Sequence, residues 1–222
     1  MIKLGLIGCG VVADYGHLPA ICATPGLSLH AVCDLDPARL KSAVEKFRPA
    51  HAFDNAEAFF RSGLDVVAIT TPATAHRQNV LDAARHGLHA LCEKPLAVTE
   101  GEIDDMIAAM QGAGRMFFTG FTYRFAEPAL RIKQLISQGA IGRVRSVRLI
   151  YLWDCHGKHV RDKASADGFR RDAAGNRIDN TRRSGRFDEG GPMVDCGVHQ
   201  IDLARWWVGD EVTRVRGAGA RP

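Results

Sequence analysis

The sequence predicts an α/β fold: a doubly wound parallel sheet, followed by a truncated α+β domain with an open, mainly antiparallel sheet. Three observations lead to this prediction. The chain opens with an apolar segment that enters a glycine-rich turn, apolar and helical patterns then alternate to about residue 120, and the pattern changes afterwards. Strand–helix alternation implies crossover connections, which make the strands parallel and are right-handed. We therefore expect two domains, a nucleotide-binding domain over 1–120 and a partial domain over 121–222.

The first predicted strand, Ile2–Ile7, leads directly into a glycine-rich turn and the start of a helix. The spacing matches a dinucleotide-binding fingerprint with alanine at the third small position. The glycines let the backbone approach a pyrophosphate, and the N–H groups at the helix start favour an anion. A second predicted strand, Leu27–Cys33, ends in Asp34, near the spacing expected for the acid that binds ribose. The predicted cofactor-binding residues here are Gly8, Cys9, Gly10, Val11, Val12 and Asp34.

Asp34 also bears on which cofactor binds. A carboxylate at this position accepts hydrogen bonds from a ribose 2′-hydroxyl and repels a 2′-phosphate, so the sequence favours NAD over NADP. Arg39 lies on the predicted helix Pro37–Phe47, where it either contacts a phosphate or the adenine or is a surface residue. We include it among the cofactor-binding candidates.

Three further strands are predicted in the first domain, over 65–70, 88–92 and 116–119. The first of them enters a turn that begins a helix ending near Arg85, and a later helix begins at the cap Thr99. Three residues of that turn are included among the cofactor-binding candidates. They are Thr71, Pro72 and His76.

The strand 88–92 ends in Glu93-Lys94-Pro95. A lysine held at the carboxyl end of a parallel strand can supply a positive charge or a proton to a substrate oxygen. The alternative is that Glu93 and Lys94 are solvated residues that close a strand. The fingerprint upstream favours the functional interpretation, which places both residues near the cofactor and Lys94 at the substrate.

The second half of the chain has a different pattern. A helix over 127–138 and strands over 143–153 and 211–217 are predicted, and the chain ends soon after, so we expect this domain to be partial. The segment 156–188 carries nine Lys or Arg and five Asp, which accounts for the whole net charge of +4. We interpret it as an exposed loop, with a mobile lid for an anionic substrate as the alternative. The charge is too dilute to indicate nucleic-acid binding.

A glycine turn at 190–191 precedes a predicted helix that runs to about Val208 and contains Asp195, His199 and Asp202. On a helix, Asp195 and His199 share a face because they are four residues apart. A histidine beside carboxylates suits general acid–base catalysis, since its pKa is near neutrality. An exposed, salt-bridged helix face is the alternative.

In their order along the chain, these motifs resemble the Gfo/Idh/MocA family of oxidoreductases, related to glucose–fructose oxidoreductase and inositol dehydrogenase. The matching motifs are Gly8-x-Gly10-x-x-Ala13, Asp34, Thr71-Pro72 with His76, Glu93-Lys94-Pro95, Tyr123-Arg124 and Gly190-Gly191 with Asp195-x-x-x-His199. The resemblance implies hydride transfer between NAD and the CH–OH carbon of a sugar, cyclitol or polyol.

The resemblance also implies the roles of individual residues. Lys94, Asp195 and His199 would be catalytic, and these three with Tyr123 and Arg124 would bind the substrate. It further implies a cis Lys94–Pro95 bond, and a homo-oligomer for the full-length form. Family members are considerably longer than this chain, which supports the expectation of a partial second domain.

Two other functions remain open at this stage. One is an NAD-dependent glycosidase of the same fold, and the other is a non-catalytic nucleotide-sensing regulator. Retention of Lys94, Asp195 and His199 argues against the glycosidase, and a regulator would be expected to have lost Lys94 or His199. Unpaired cysteine spacing and the absence of a signal peptide or membrane-spanning run favour a cytoplasmic protein. A metal site at Cys155, His156 and His159 is disfavoured because no second cluster accompanies them.

Overall fold

The computed structural model describes residues 1–150, 166, 171, 174–177 and 193–217. The chain divides into two compact units, Met1–Gly120 and Phe121–Pro222. Each unit is described by itself below.

The first unit contains a six-stranded sheet in which every neighbouring pair is parallel. Its strand order, β3-β2-β1-β4-β5-β6, is the doubly wound order with its switch point between β1 and β4. The predicted parallel sheet is therefore confirmed. The strands are β1 (Ile2–Ile7), β2 (Leu27–Cys33), β3 (His51–Phe53), β4 (Val66–Ile69), β5 (His89–Cys92) and β6 (Phe117–Thr119).

Helices connect these strands. A π-helical turn at Ala13–His17 runs directly into the first α-helix. The cap predicted at Thr99 is confirmed, because its hydroxyl accepts the Glu102 backbone N–H at 3.4 Å. The α-helices of this unit are α1 (Leu18–Ala23), α2 (Pro37–Phe47), α3 (Ala56–Phe60), α4 (Ala73–Arg85) and α5 (Glu100–Gly112).

Two apolar clusters hold the sheet between its helices. Alternate strand residues enter different clusters, as the two-residue period of a strand requires: Leu6 belongs to one and Ile7 to the other. The first cluster includes residues of α3, α4 and α5, and the second includes residues of α1 and α2. Burial on both faces explains why the strands of this sheet are continuous apolar runs.

In the second unit, a short 3₁₀ turn at Thr122–Phe125 precedes α6 (Glu127–Ser137). A π-helical segment, Met193–Gly197, leads into α7 (Val198–Val208). The indole N–H of Trp207 donates to the Ala129 carbonyl at 3.0 Å, which ties α7 to α6.

The prediction of strands over 143–153 and 211–217 is wrong for the part of these ranges that the structure describes. Residues 143–150 and 211–217 carry no strand, and apolar side chains such as Ile150 and Val215 are exposed. An alternating pattern becomes a strand only when a neighbour completes its hydrogen bonds. Most of the basic segment 156–188, and the residues Cys155, His156 and His159, lie outside the described residues.

Within the described part of the chain, no helix combines the length and the apolar composition needed to cross a bilayer.

Gly5 in β1 offers a test of this packing. A Cβ there would lie 2.5 Å from Leu64 Cδ1 and 2.8 Å from the ring of Phe59. We expect Gly5→Ala to lower the free energy of unfolding by about 1–3 kcal/mol, because the buried phenyl ring has to move. Urea unfolding measures the change. Gly101→Ala on the exposed side of α5 is the control, since a Cβ there meets nothing within 4 Å, and equal stability of the two variants would contradict the packing argument.

Candidate active site

The glycine turn after β1 lies against the end of β4. Gly8 has a φ of 97°, and a Cβ on it would lie 2.6 Å from the backbone nitrogen of Thr71. The hydroxyl of Thr70 donates to the Gly8 carbonyl at 2.6 Å. The turn therefore requires glycine both for its backbone conformation and for this close approach. The crevice at the switch point between β1 and β4 is formed here.

Asp34 holds the same turn from the end of β2. Its Oδ2 accepts the Cys9 backbone N–H at 2.7 Å, and its Oδ1 accepts the Asp36 N–H at 2.8 Å. A carboxylate has about four lone-pair positions, so acceptor capacity remains for ribose hydroxyls. A Cβ on Gly10 would meet nothing within 4 Å, which leaves open space beside the turn. These residues fit a dinucleotide.

The remaining predicted residues of this turn differ in exposure. Cys9 is buried, and burial together with the charges of Asp34 and Cys33 raises the pKa of its thiol to about 12, against a smaller lowering by Arg39. Its thiol is therefore neutral and packs in the core, and its contribution to the turn is the backbone N–H that donates to Asp34. Val11 is exposed and Val12 half-buried at the start of the helix. Arg39 is exposed, with its Nε 3.3 Å from a carboxylate oxygen of Asp36.

His76 is buried and faces protein on both sides of its ring. Its Nε2 lies 2.8 Å from the Thr71 carbonyl oxygen, and its Nδ1 lies 3.0 Å from that of Pro95. Asn79, also on α4, donates to the Thr71 hydroxyl at 3.0 Å. The side chain of His76 thus joins the loop after β4 to the loop after β5. Pro72 is exposed between these groups and α4.

The loop after β5 carries Glu93 and Lys94, and the Lys94–Pro95 bond is cis as expected. Oε1 of Glu93 lies 2.7 Å from Nε2 of His17, and Oε2 accepts the Lys94 backbone N–H at 3.1 Å. Burial raises the pKa of the Glu93 carboxyl, but the hydrogen bond and charge of His17, with smaller contributions from Lys94, bring it below its usual range. Glu93 is therefore an ionised, half-buried carboxylate.

In the second unit, His199 lies in the first turn of α7 and is 8% exposed. Its ring stacks on that of Tyr123 with a centroid distance of 4.2 Å and an angle of 9°. Phe121 meets the His199 ring edge-on at 6.2 Å. The two aromatic rings fix the plane of the imidazole.

Arg124 is engaged by Asp202 of α7. Its Nε and Nη2 donate to the two carboxylate oxygens at 2.7 and 2.5 Å, and Asp202 is 6% exposed. A buried carboxylate requires such a partner, so the pair anchors the helix that carries His199. Asp195 lies in the π-helical segment, and its side chain is outside the described residues.

Sequence reasoning missed several residues that shape the site. Thr70 directly follows β4 and precedes the predicted residue Thr71, so its polar side chain at a strand end was an available signal. Asn79 lies three residues after His76 on α4, a spacing that places the two residues on one helix face. His17 and the pairing of Arg124 with Asp202 had none, because each contact joins residues more than 70 positions apart.

Comparison with known proteins covers both units. Residues 2–121 match the oxidoreductase family model with an NAD-binding Rossmann fold, and residues 129–222 match the GFO/IDH/MocA C-terminal domain. The chain is 26% identical over 211 residues to D-glucoside 3-dehydrogenase of Escherichia coli (strain K12), covering 94% of this chain and 54% of that protein. It is 27% identical over 220 residues to myo-inositol 2-dehydrogenase of Thermotoga maritima, covering 99% and 58%.

Among solved structures, an oxidoreductase from Agrobacterium radiobacter in complex with NAD⁺, L-tartaric acid and magnesium superposes with a TM-score of 0.71. It is 25% identical, and the match covers 97% of this chain and 58% of that one. The chain thus spans little more than half the length of the relatives it matches. Since the two family models together cover most of its residues, the chain belongs to the GFO/IDH/MocA family of oxidoreductases.

Proposed function

We propose that the protein is an NAD-dependent dehydrogenase that transfers a hydride between the cofactor and a CH–OH carbon of a sugar, cyclitol or related polyol. The observation that carries the proposal is the position of Lys94. It is the second residue after β5, at the carboxyl edge of the sheet where the ends of β1 and β4 form the glycine turn. That edge is where open α/β sheets bind their ligands. The names of the relatives support the substrate class.

The first unit contains the groups that would hold the cofactor. The backbone of Gly8–Gly10 and the start of the following helix would receive the pyrophosphate, and the open lone pairs of Asp34 would receive the ribose hydroxyls. When bound, NAD supplies a hydride acceptor. Arg39 forms an ion pair with Asp36 at the surface. Asp34 therefore remains the group that would discriminate against a 2′-phosphate.

Lys94, Asp195 and His199 would handle the proton and the charge of the substrate hydroxyl. In the oxidative direction, His199 removes the hydroxyl proton while the Lys94 ammonium stabilises the negative charge that develops on the oxygen. Asp195 orients the histidine or shares its proton. Tyr123 sets the plane of the His199 ring and, being partly exposed, also lies open to a substrate.

A panel of sugars, glycosides and cyclitols, assayed by the absorbance of NADH, tests the proposal. Net NADH formation with a member of the panel supports a dehydrogenase. Glycoside hydrolysis without net NADH would instead indicate a glycosidase, and NAD binding without turnover would indicate a regulator.

We further propose that the intact protein is a homo-oligomer, and the cytoplasmic location stays a prediction.

Cofactor preference depends on Asp34. We expect the unmodified protein to bind NAD more tightly than NADP. Asp34→Asn should weaken NAD binding about tenfold, because a hydrogen bond to a charged group contributes about 1.5–3 kcal/mol. The same change should reduce the difference between the affinities for NAD and NADP, since it removes the repulsion between the Asp34 carboxylate and the 2′-phosphate. Calorimetric titration with each cofactor measures both effects.

Asp36→Asn is the matched control for this experiment. It removes the same charge two residues away, and asparagine still caps α2 well. The preference for NAD should survive in this variant. Equal affinities of the unmodified protein for NAD and NADP would contradict the role of Asp34.

The proton-handling groups are tested by Lys94→Met and His199→Asn, which nearly preserve side-chain size. Each should lower kcat by about 10²–10⁴-fold, as expected for the loss of a positioned acid–base or charged group. NAD affinity of His199→Asn, measured by calorimetry, should change little. Lys41→Met on the exposed side of α2 controls for the loss of one lysine charge. Near-normal turnover of His199→Asn would show that the histidine is structural.

A further inference from the structure

His17 belongs to none of the motifs on which the proposed function rests. It is the last residue of the π-helical turn that follows the glycine turn, and its side chain is 14% exposed. Its ring contacts Glu93, the residue directly before Lys94, across 76 positions of sequence. A histidine on the first helix is thereby connected to the loop after β5.

The π-helical turn at Ala13–His17 is explained by the local sequence. Pro19 follows two residues after His17, near the start of α1. A proline has no N–H, and its ring clashes with the carbonyl four residues earlier in a regular α-helix. A π-helical turn at Ala13–His17 relieves this conflict, and such turns are frequent at functional sites.

The contact between His17 and Glu93 has a defined direction. An ionised carboxylate only accepts hydrogen bonds, so Nε2 of His17 donates to Oε1 of Glu93 at 2.7 Å. The other oxygen of Glu93 accepts the backbone N–H of Lys94. The backbone N–H of Glu93 donates to the Ile69 carbonyl of β4 at 2.9 Å, which ties the residue to the sheet.

Gly120 closes the remaining side of this carboxylate. A Cβ on Gly120 would lie 3.0 Å from Oε1 of Glu93, so a larger residue there would crowd the carboxylate. The two oxygens of Glu93 thus have assigned partners, and its space is bounded by protein.

We propose that His17 is a positioning residue for Lys94, acting through Glu93. The chain of contacts runs from the helix after the glycine turn, through the His17 ring and the Glu93 carboxylate, to the Lys94 backbone. These contacts fix the position of the Lys94 backbone relative to the glycine turn that would bind the cofactor. This inference rests on the proposed function, because only a dehydrogenase reaction gives Lys94 a substrate hydroxyl to act on.

His17→Ala and His17→Gln test the inference in the intact protein. Glutamine can donate from its amide nitrogen to Glu93, whereas alanine cannot. We expect His17→Ala to lower kcat about tenfold or more, because misplacement of a reacting group by about 1 Å can cost two orders of magnitude. The dissociation constant of NAD should change little. His17→Gln should recover most of kcat.

Gly5→Ala separates positioning from a general loss of stability. That variant disturbs the core beneath β1 and should retain kcat per folded molecule. Unchanged kcat in His17→Ala, or equal loss in His17→Ala and His17→Gln, would overturn the inference.

Hydrogen exchange of the peptide that spans 93–97 gives a readout that does not need turnover. We expect faster exchange there in His17→Ala and exchange near that of the unmodified protein in His17→Gln. If no polyol in the panel reduces NAD, the proposed function fails, and this exchange pattern alone then supports the link between His17 and the Lys94 loop. Unchanged exchange in His17→Ala would overturn it.

Discussion

The close approach of the glycine turn to the end of β4 is the contact on which the site of the first unit depends. With a φ of 97° and the Thr71 backbone nitrogen 2.6 Å from where a Cβ would lie, Gly8 brings two strand ends together. The Thr70 hydroxyl and the Asp34 carboxylate then fix the turn by hydrogen bonds to its backbone. A side chain at Gly8 would separate these strand ends and remove the crevice between them.

In each unit, polar residues near the predicted functional groups bind other groups of the protein. His76 joins two loops through their carbonyl oxygens, Asp202 holds Arg124, and Glu93 holds the Lys94 backbone. Buried polar groups require hydrogen-bond partners, and these pairs satisfy that requirement while immobilising the loops and helices involved. Of the groups proposed to react, Lys94 donates its backbone N–H to Glu93, and the ring of His199 lies against those of Tyr123 and Phe121.

The sequence predicted the elements of the first unit well. The bounds of β1, β2 and α2 match the predicted ranges, because strands buried on both faces are continuous apolar runs and α2 has an aspartate cap and an early proline. No range was predicted for β3, which has only three residues at the sheet edge, two of them exposed. Of the strands predicted over 143–153 and 211–217, the described residues 143–150 and 211–217 form none, since alternation alone supplies no partner.

The sequence by itself determined which chemical groups stand at the ends of β1, β2, β4 and β5, because a strand that runs into polar residues places them at the carboxyl edge of a parallel sheet. Only the tertiary structure decided what these groups contact. The pairing of His17 with Glu93 and of Arg124 with Asp202 spans 76 and 78 positions, and no local pattern signals it. Side-chain partners at such separations depend on how helices pack against the sheet or against each other, which hydrophobic periodicity does not specify.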